Sequence, residues 1–456
     1  MYFEGNQQIP DWRREVARVS AKRQGTLEPP ITEWAVSILY RLFGHEDLRF
    51  AQLLTSVFWL ASGCLLFLTA SRLLPLSGSI AALAYFLFLP LSVMLSLSFQ
   101  PDALMILGLT GSILTLVMAF ENCKSSRLIL SAFVAGLTML VKPVSGFIIV
   151  GSFAGLVFAV ARNNWRKTLV RMMIYLPLTL LPTAAYWAYL WLGENTSNVD
   201  AFTRITATSQ WRLSIRPALL LKLYFWREWF LVGVTEIGKA SLIAAFAGIP
   251  FLPPGYPRGL ILGMFVGFFV QGLTFTYHIH THGYYHATLI PSVAIALGAA
   301  ISGWNAKVRE QVGFPLRLLL SSVIVGICVG TSYFQVMERN QKRLFVSENA
   351  AREIGNIVHH SDNVAYVARY YGHPLEYYAE LSGLALPREP ANRTSRDLEL
   401  DVRTYLRLLG IRPDYFVITN FDEYLRHYKA LGQFLHESCR KIADSSAYLV
   451  YDRCQY

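Results

Sequence analysis

Long apolar runs separated by short polar ones make up most of the chain. They cover about residues 50–73, 78–98, 101–120, 127–141, 143–161, 169–192, 239–253, 259–277, 285–303 and 315–336. Most approach the ~20 residues that a helix needs to cross a bilayer. The pattern therefore predicts a transmembrane domain of about ten spans over residues 50–338, with a polar loop at 193–238. Lys142-Pro143 and Ser145-Gly146 interrupt what would otherwise be one long helix over 127–161, which favours two spans there. Residues 1–49 are a polar segment with short helices. One is amphipathic, over about 11–23, and Glu28-Pro29-Pro30 follows it, since the residue before a proline is pushed out of the helical region. The other, about 34–43, is apolar but too short to span, and it stops at Gly44.

After residue 338 the period changes. Residues 363–370 (NVAYVARY), 415–419 (YFVIT) and 447–451 (AYLVY) are short β-rich apolar runs, as expected of buried strands. Helical patterns at about 345–358, 399–410 and 421–434 separate them. Residues 339–456 therefore read as a small α/β domain outside the membrane. The expected fold class is an α-helical polytopic membrane protein with a C-terminal α/β extracytoplasmic domain. The domain carries no GxGxxG or P-loop that would assign it a nucleotide.

Composition agrees. The 456 residues are 54% hydrophobic and only 16% charged, where a soluble chain carries roughly a quarter. The net charge of +11 then reports cytoplasmic loops and contact with anionic membrane lipids rather than nucleic acid, for which no motif is present. Basic residues concentrate on cytoplasmic loops. The short loop with Arg162, Arg166, Lys167 and Arg171 is placed there, and alternation puts Lys124, Arg127, Arg258, Lys307, Arg309 and Arg317 on the same side. The opposite, outer face receives residues 1–49, the turn before Asp102, the Lys142 break, the loop 193–238, the stretch 277–291 and everything after 337.

That outer face collects the costly residues. Lys142 sits between apolar neighbours, where an inserted lysine costs roughly 2.5–3.5 kcal/mol and marks a site by default. A phosphate suits such a point charge; the alternative is snorkelling to the headgroups. Asp102 opens a span, as a helix-dipole partner or as a carboxylate anchor or base. The loop 193–238 holds Arg204, Arg212, Arg216, Lys222 and Arg227 among Trp211, Tyr224, Phe225, Trp226, Trp229 and Phe230. That mixture suits an anionic partner or an interfacial helix. Residues 277–291 (YHIHTHGYYHATLIP) bring His278, His280, His282, His286, Tyr284 and Tyr285. Imidazoles suit zinc, but here an every-other spacing in a loop would point them to opposite faces, and no acid or cysteine accompanies them. Hydrogen bonding to a phosphate or a hydroxyl-rich substrate is the preferred expectation. Cys64 and Cys328 lie in apolar runs, and Cys439 and Cys454 can pair if their domain meets an oxidising compartment.

Several stretches together resemble the membrane glycosyltransferases of the GT-C fold, in particular the bacterial protein-mannosyltransferase-like and aminoarabinose-transferase-like group. They are Glu28-Pro29-Pro30 leading to residues 38–44 (ILYRLFG), residues 99–105 (FQPDALM), 137–146 (LTMLVKPVSG) and 277–291, in the expected order. The resemblance covers about residues 28–336. It implies a polyprenyl-phosphate-linked sugar donor, a hydroxyl acceptor on a lipid, glycan or protein, an extracytoplasmic site, inversion at the sugar, and residence in a bacterial inner membrane. It does not by itself require a divalent metal. Such enzymes begin with a further span and an outer loop bearing the catalytic acid, whereas this sequence begins within that loop. Glu4, Asp11, Glu28 and Asp102 are then the outer acids, with Glu28 and Asp102 the expected catalytic residues. Lys142, Arg212, Arg216, Arg227, His282, Tyr284, Tyr285 and His286 are the expected substrate and phosphate ligands. A non-catalytic relative that binds lipid phosphate, or a transporter of a lipid-linked sugar, is the alternative.

Overall fold

The computed structural model describes residues 2–455 apart from 4–5, 7–8, 25–27, 123–124, 162–164, 195–213, 342–345, 370–371, 387–405 and 407–411. It divides into two compact units. One takes in Met1–Gly25 and Lys342–Tyr456, the other Thr26–Val199 and Thr208–Gln341. Glu4, Lys124, Arg162, Arg204, Trp211, Arg212 and most of the helix expected at 399–410 lie outside the described residues.

Helix α1 (Asp11–Gln24) belongs to the smaller unit. The larger unit is helical: α2 (Ile31–Phe43), α3 (Leu48–Leu73), α4 (Leu76–Phe88), α5 (Pro90–Leu97), α6 (Asp102–Asn122), α7 (Ser125–Val141), α8 (Ser145–Ala161), α9 (Trp165–Glu194), α10 (Leu223–Ile237), α11 (Lys239–Gly248), α12 (Tyr256–Thr274), α13 (Thr276–Thr281), α14 (Ile290–Lys307) and α15 (Phe314–Gln341). A 3-10 segment, Gly283–Leu289, leads from α13 into α14. All ten apolar stretches carry helix, but not all are straight. Among the described residues, five helices are long and apolar enough to cross a membrane, or seven if each bent pair counts as one span. The bent pairs are α4 with α5, at 56°, and α10 with α11 and its 3-10 extension, at 89°.

The bends have local causes. Pro90 opens α5 after Leu89 in an extended conformation, because a proline ring blocks the preceding helical turn. Gly238 separates α10 from α11 at φ +92°, where a side chain would be strained. Residues 223–237, read from the sequence as part of a polar loop, are thus a regular helix forming one arm of a bent pair. Helices α8 and α12 approach at backbone contact: a Cβ on Gly155 would lie 2.0 Å from the Gly259 carbonyl oxygen, and one on Gly263 2.1 Å from that of Gly151. Helix α14 is the buried centre, with residues 290–299 all inside.

The smaller unit is a five-stranded sheet with helices on both faces. Its strands are β1 (Val364–Val367), β2 (Gly383–Ala385), β3 (Tyr415–Ile418), β4 (Arg440–Asp444) and β5 (Leu449–Asp452), and its helices are α16 (Glu348–Ile357), α17 (His373–Ala379), α18 (Phe421–His427) and α19 (Lys429–Ser438). The order is β2-β1-β3-β5-β4, with β1 parallel to β2 and β3, and β5 antiparallel to β3 and β4. Val364 and Tyr366 pack on one side with Ala351, Ile354 and Leu375, while Ala365 and Val367 pack on the other with Phe416, Leu431 and Leu435. Burial on both faces is why β1 reads as an unbroken apolar run. Cys439 and Cys454 form a disulfide that ties the start of β4 to the end of β5. Helix α1 docks on this unit through Arg13, 2.7 Å from Glu380, and through Trp12, whose ring stacks at 4.4 Å on His360.

Candidate functional site

The Lys142 break decides the site. Helix α7 runs one residue past its end, with the Lys142 N–H donating to the Thr138 carbonyl, and Pro143 then stops it. The Lys142 carbonyl accepts from the Ser145 N–H and hydroxyl, which turns the chain into α8. Helices α6 and α7 are sequential antiparallel neighbours, so the first residue of α6 faces the last turn of α7. Lys142 Nζ accordingly donates to both carboxylate oxygens of Asp102, at 3.0 and 2.9 Å. Both residues are buried, at 9% and 2% exposure. The intramembrane lysine is therefore neither snorkelling nor bare: its charge is compensated in place, as burial requires.

Two further segments complete the cluster. The Tyr284 ring lies under the Lys142 ammonium, 5.1 Å from nitrogen to ring centre. Glu28, just ahead of α2, is electrostatically coupled to both charges. Burial pushes its carboxyl above the usual carboxylate range; Lys142 opposes that, while Asp102 and Glu33 reinforce it.

The histidine-rich stretch is not the extended loop expected from its spacing. Residues 276–281 are helical, so the four-residue spacing of His278 and His282, not the every-other alternation, sets the faces. Their rings lie 5.0 Å apart. His278 stacks on Tyr285 at 4.9 Å, and His282 meets Tyr284 edge-on at 5.5 Å. Burial, then the charges of His282, Lys142 and His280, push His278 down to about 4, which leaves it neutral near pH 7. His280 turns aside, toward Phe225, Tyr224 and Tyr277, with Nδ1 2.6 Å from the Thr276 carbonyl. Arg216 places its guanidinium 4.9 Å above the Tyr277 ring, and its backbone N–H donates to the Thr276 hydroxyl.

Asp102, Lys142 and Tyr284 thus form one group, with Glu28 near enough to feel both charges, Tyr285, His278 and His282 adjoining, and Arg216 on the neighbouring Tyr277. Two expected ligands are placed elsewhere. Arg227 is 73% exposed on α10, 3.8 Å from Glu228. His286 is wholly buried, against Phe268 and over Gly233. Among the described residues no three His, Cys, Asp or Glu side chains converge on a metal position, and the Asp102 oxygens are already engaged by Lys142. The sequence reading passed over Glu236. It is 4% exposed near the end of α10, with its carboxyl against Gly283. The signal was available: a lone acid in the otherwise uncharged run LVGVTEI of residues 231–237.

Residues 27–190 match the model of the dolichyl-phosphate-mannose-protein mannosyltransferase family. No curated protein matches the sequence significantly. The structure is similar to the oligosaccharyltransferase of Archaeoglobus fulgidus, with a TM-score of 0.55 at 13% identity over 93% of this chain and 64% of that one. The chain thus spans just under two thirds of the length of that protein, and it is similar too to the oligosaccharyltransferase AglB of the same organism, solved with an inhibitory peptide and a dolichol-phosphate (TM-score 0.54, 13% identity, 94% of this chain and 66% of that one). It is similar to ArnT from Cupriavidus metallidurans (TM-score 0.50, 12% identity, 98% of this chain and 93% of that one). It is also similar to the arabinofuranosyltransferase AftD from Mycobacteria (TM-score 0.52, 13% identity, 98% and 39%). The chain has the GT-C fold of membrane glycosyltransferases, with the architecture of an integral membrane protein and a small C-terminal sheet domain.

Proposed function

We propose that this protein is a glycosyltransferase that moves a sugar from a polyprenyl-phosphate donor to a hydroxyl acceptor at the extracytoplasmic face of the membrane. The observation that carries the reading is the cluster of Lys142, Asp102, Tyr284 and Glu28. It is a compensated cation inside an apolar bundle, with a second carboxyl that burial makes more basic. The acceptor oxygen attacks the anomeric carbon as the bond to the phosphate oxygen breaks. Glu28 takes the hydroxyl proton, a task its raised affinity for protons favours. The leaving lipid phosphate gains charge, and Lys142 and Arg216 stabilise it. Attack opposite the leaving group inverts the anomeric centre. Asp102 is tied to Lys142 by two hydrogen bonds, so its part is to hold that ammonium rather than to take a proton. The Cys439–Cys454 disulfide supports an oxidising surrounding for the C-terminal unit, hence the outer side. The family match and the dolichol-phosphate carried by the archaeal neighbour support a lipid-phosphate donor.

The test is transfer of radiolabelled sugar from a polyprenyl-phosphate sugar by purified protein in lipid nanodiscs supplied with membrane extract as acceptor. Labelled product that disappears in Glu28→Gln is the expected result. Donor binding without turnover in the wild type would replace this reading with that of a lipid-phosphate binder.

A further inference from the structure

Helix α10 seats against the segments around the site through one stripe, Trp229, Gly233 and Glu236. The spacings of four and three residues put all three on one face. Each meets a close-approach point. The Trp229 ring fills the space a Cβ on Gly272 would need, at 2.1 Å. The His286 ring sits over Gly233, 3.6 Å from where a Cβ there would be. The Glu236 carboxyl lies on Gly283, so that a Cβ added to Gly283 would fall 2.1 Å from Glu236 Oε1 and 2.5 Å from Cδ. Tryptophan on glycine and imidazole over glycine are ordinary packing. A carboxyl buried to 4% in that position is not, because an aliphatic side chain would fill the space without the cost of desolvating an acid.

Gly283 opens the 3-10 segment and lies between His282 and Tyr284. The neighbour on one side touches the His278–Tyr285 stack, and the neighbour on the other lies under the Lys142 ammonium. Whatever fixes Gly283 therefore fixes both. We propose that Glu236 is a positioning residue: its buried carboxyl pins the Gly283 corner and so holds Tyr284 beneath Lys142 in the donor site. The inference rests on the proposed donor site and extends it to a side chain one helix away. A Cβ at 283 would meet the carboxyl end of Glu236, so enlarging Gly283 makes that carboxyl move. Acid and glycine form one device, in which enlarging 283 displaces the carboxyl and shortening 236 frees the corner. Displacing a positioned group by about 1 Å costs on the order of a hundredfold in rate.

The experiment is a double-mutant cycle between positions 236 and 284 in the full-length protein in nanodiscs, read in kcat and KM for sugar transfer. Glu236→Ala is expected to lower kcat about a hundredfold and Gly283→Ala to lower it as well, while Glu236→Gln, which keeps the side-chain shape and one acceptor oxygen, recovers most of the loss. In a Tyr284→Ala background, Glu236→Ala is expected to add no more than about twofold, because the group it positions is gone. Additive losses across that cycle, or Glu236→Gln as impaired as Glu236→Ala, would overturn the proposal. A merely structural role predicts additivity and a fall in thermal stability that parallels the loss of rate. The same cycle is run on the Kd for polyprenyl phosphate, followed by tryptophan fluorescence. If the wild type binds but does not transfer, the glycosyltransferase reading fails, and coupling between 236 and 284 in Kd still decides the present proposal.

Discussion

The Lys142–Asp102 pair permits the most demanding test. Asp102→Asn leaves an ammonium at 9% exposure hydrogen-bonded to a neutral partner, with Glu28 as its remaining charged neighbour, and Lys142→Met leaves a carboxylate at 2% exposure with no cation. Removing one member of a buried pair typically costs about 3–5 kcal/mol, because the surviving charge stays desolvated. That corresponds to roughly a hundred- to several-thousand-fold in the folding equilibrium. Replacing both members, as Lys142→Met with Asp102→Leu, removes both desolvation costs and is expected to restore stability to within about 1 kcal/mol of wild type or beyond it. The cycle is measured by thermal unfolding in detergent and, in parallel, by transfer from a labelled polyprenyl-phosphate sugar. Stability and activity are expected to part company: the double variant folds and inserts like wild type yet transfers nothing, because the cation that receives the phosphate is missing. Full transfer by a folded Lys142→Met protein would refute the phosphate role. Single variants as stable as wild type would refute the view that the pair's energetics are those of burial.

Four further outcomes are expected. Glu28→Gln is expected to lower kcat about 10²- to 10⁴-fold, the range for loss of a general base, with the donor Kd little changed. Because burial raises the Glu28 carboxyl, and a base works only when ionised, kcat/KM should fall as pH drops through a value above the ordinary ~4.3 of glutamate. An acid limb at or below that value, or one that survives in Glu28→Gln, would remove Glu28 from the role. Tyr284→Ala is expected to weaken polyprenyl phosphate binding a few-fold to about thirtyfold, the span of a cation–π contact between exposed and desolvated settings, and to lower kcat at least as far as Glu236→Ala does, about a hundredfold, whereas Tyr284→Phe keeps the ring and should stay within about threefold in both. Reducing Cys439–Cys454, which closes a loop of sequence separation 15, should cost the C-terminal unit about 3 kcal/mol, read as earlier loss of amide protection in β4 and β5.

What the sequence could determine was whatever depends on neighbours along the chain. An apolar run of spanning length must satisfy its backbone internally, so all ten runs could be read as helix. The break at Pro143 was legible because proline acts locally on φ and on the donor inventory, whereas the bends at Pro90 and Gly238 were not read: 78–98 was taken as one span and Gly238 as the end of a loop. Strands β1, β3 and β5 were legible because both their faces are buried or nearly so. The three-residue β2 and the polar β4 were not, since an edge strand exists only by virtue of the partner it pairs with. Lys142 stood out from its surroundings, but that its partner is Asp102, forty residues away, depends on which helix ends meet. The histidines show the opposite failure: an assumed extended loop gave the wrong faces, and one helical turn brought His278 to His282. His286 was read as a ligand by its position in the motif, yet the approach of α10 buried it over Gly233. Glu236 is the clearest case. Its sequence signal was one acid among apolar residues, and only the packing of α10 on the Gly283 corner gives that acid a place beside the site. Burial and pairing are properties of which surfaces come together, and a chain fixes those only when it is folded.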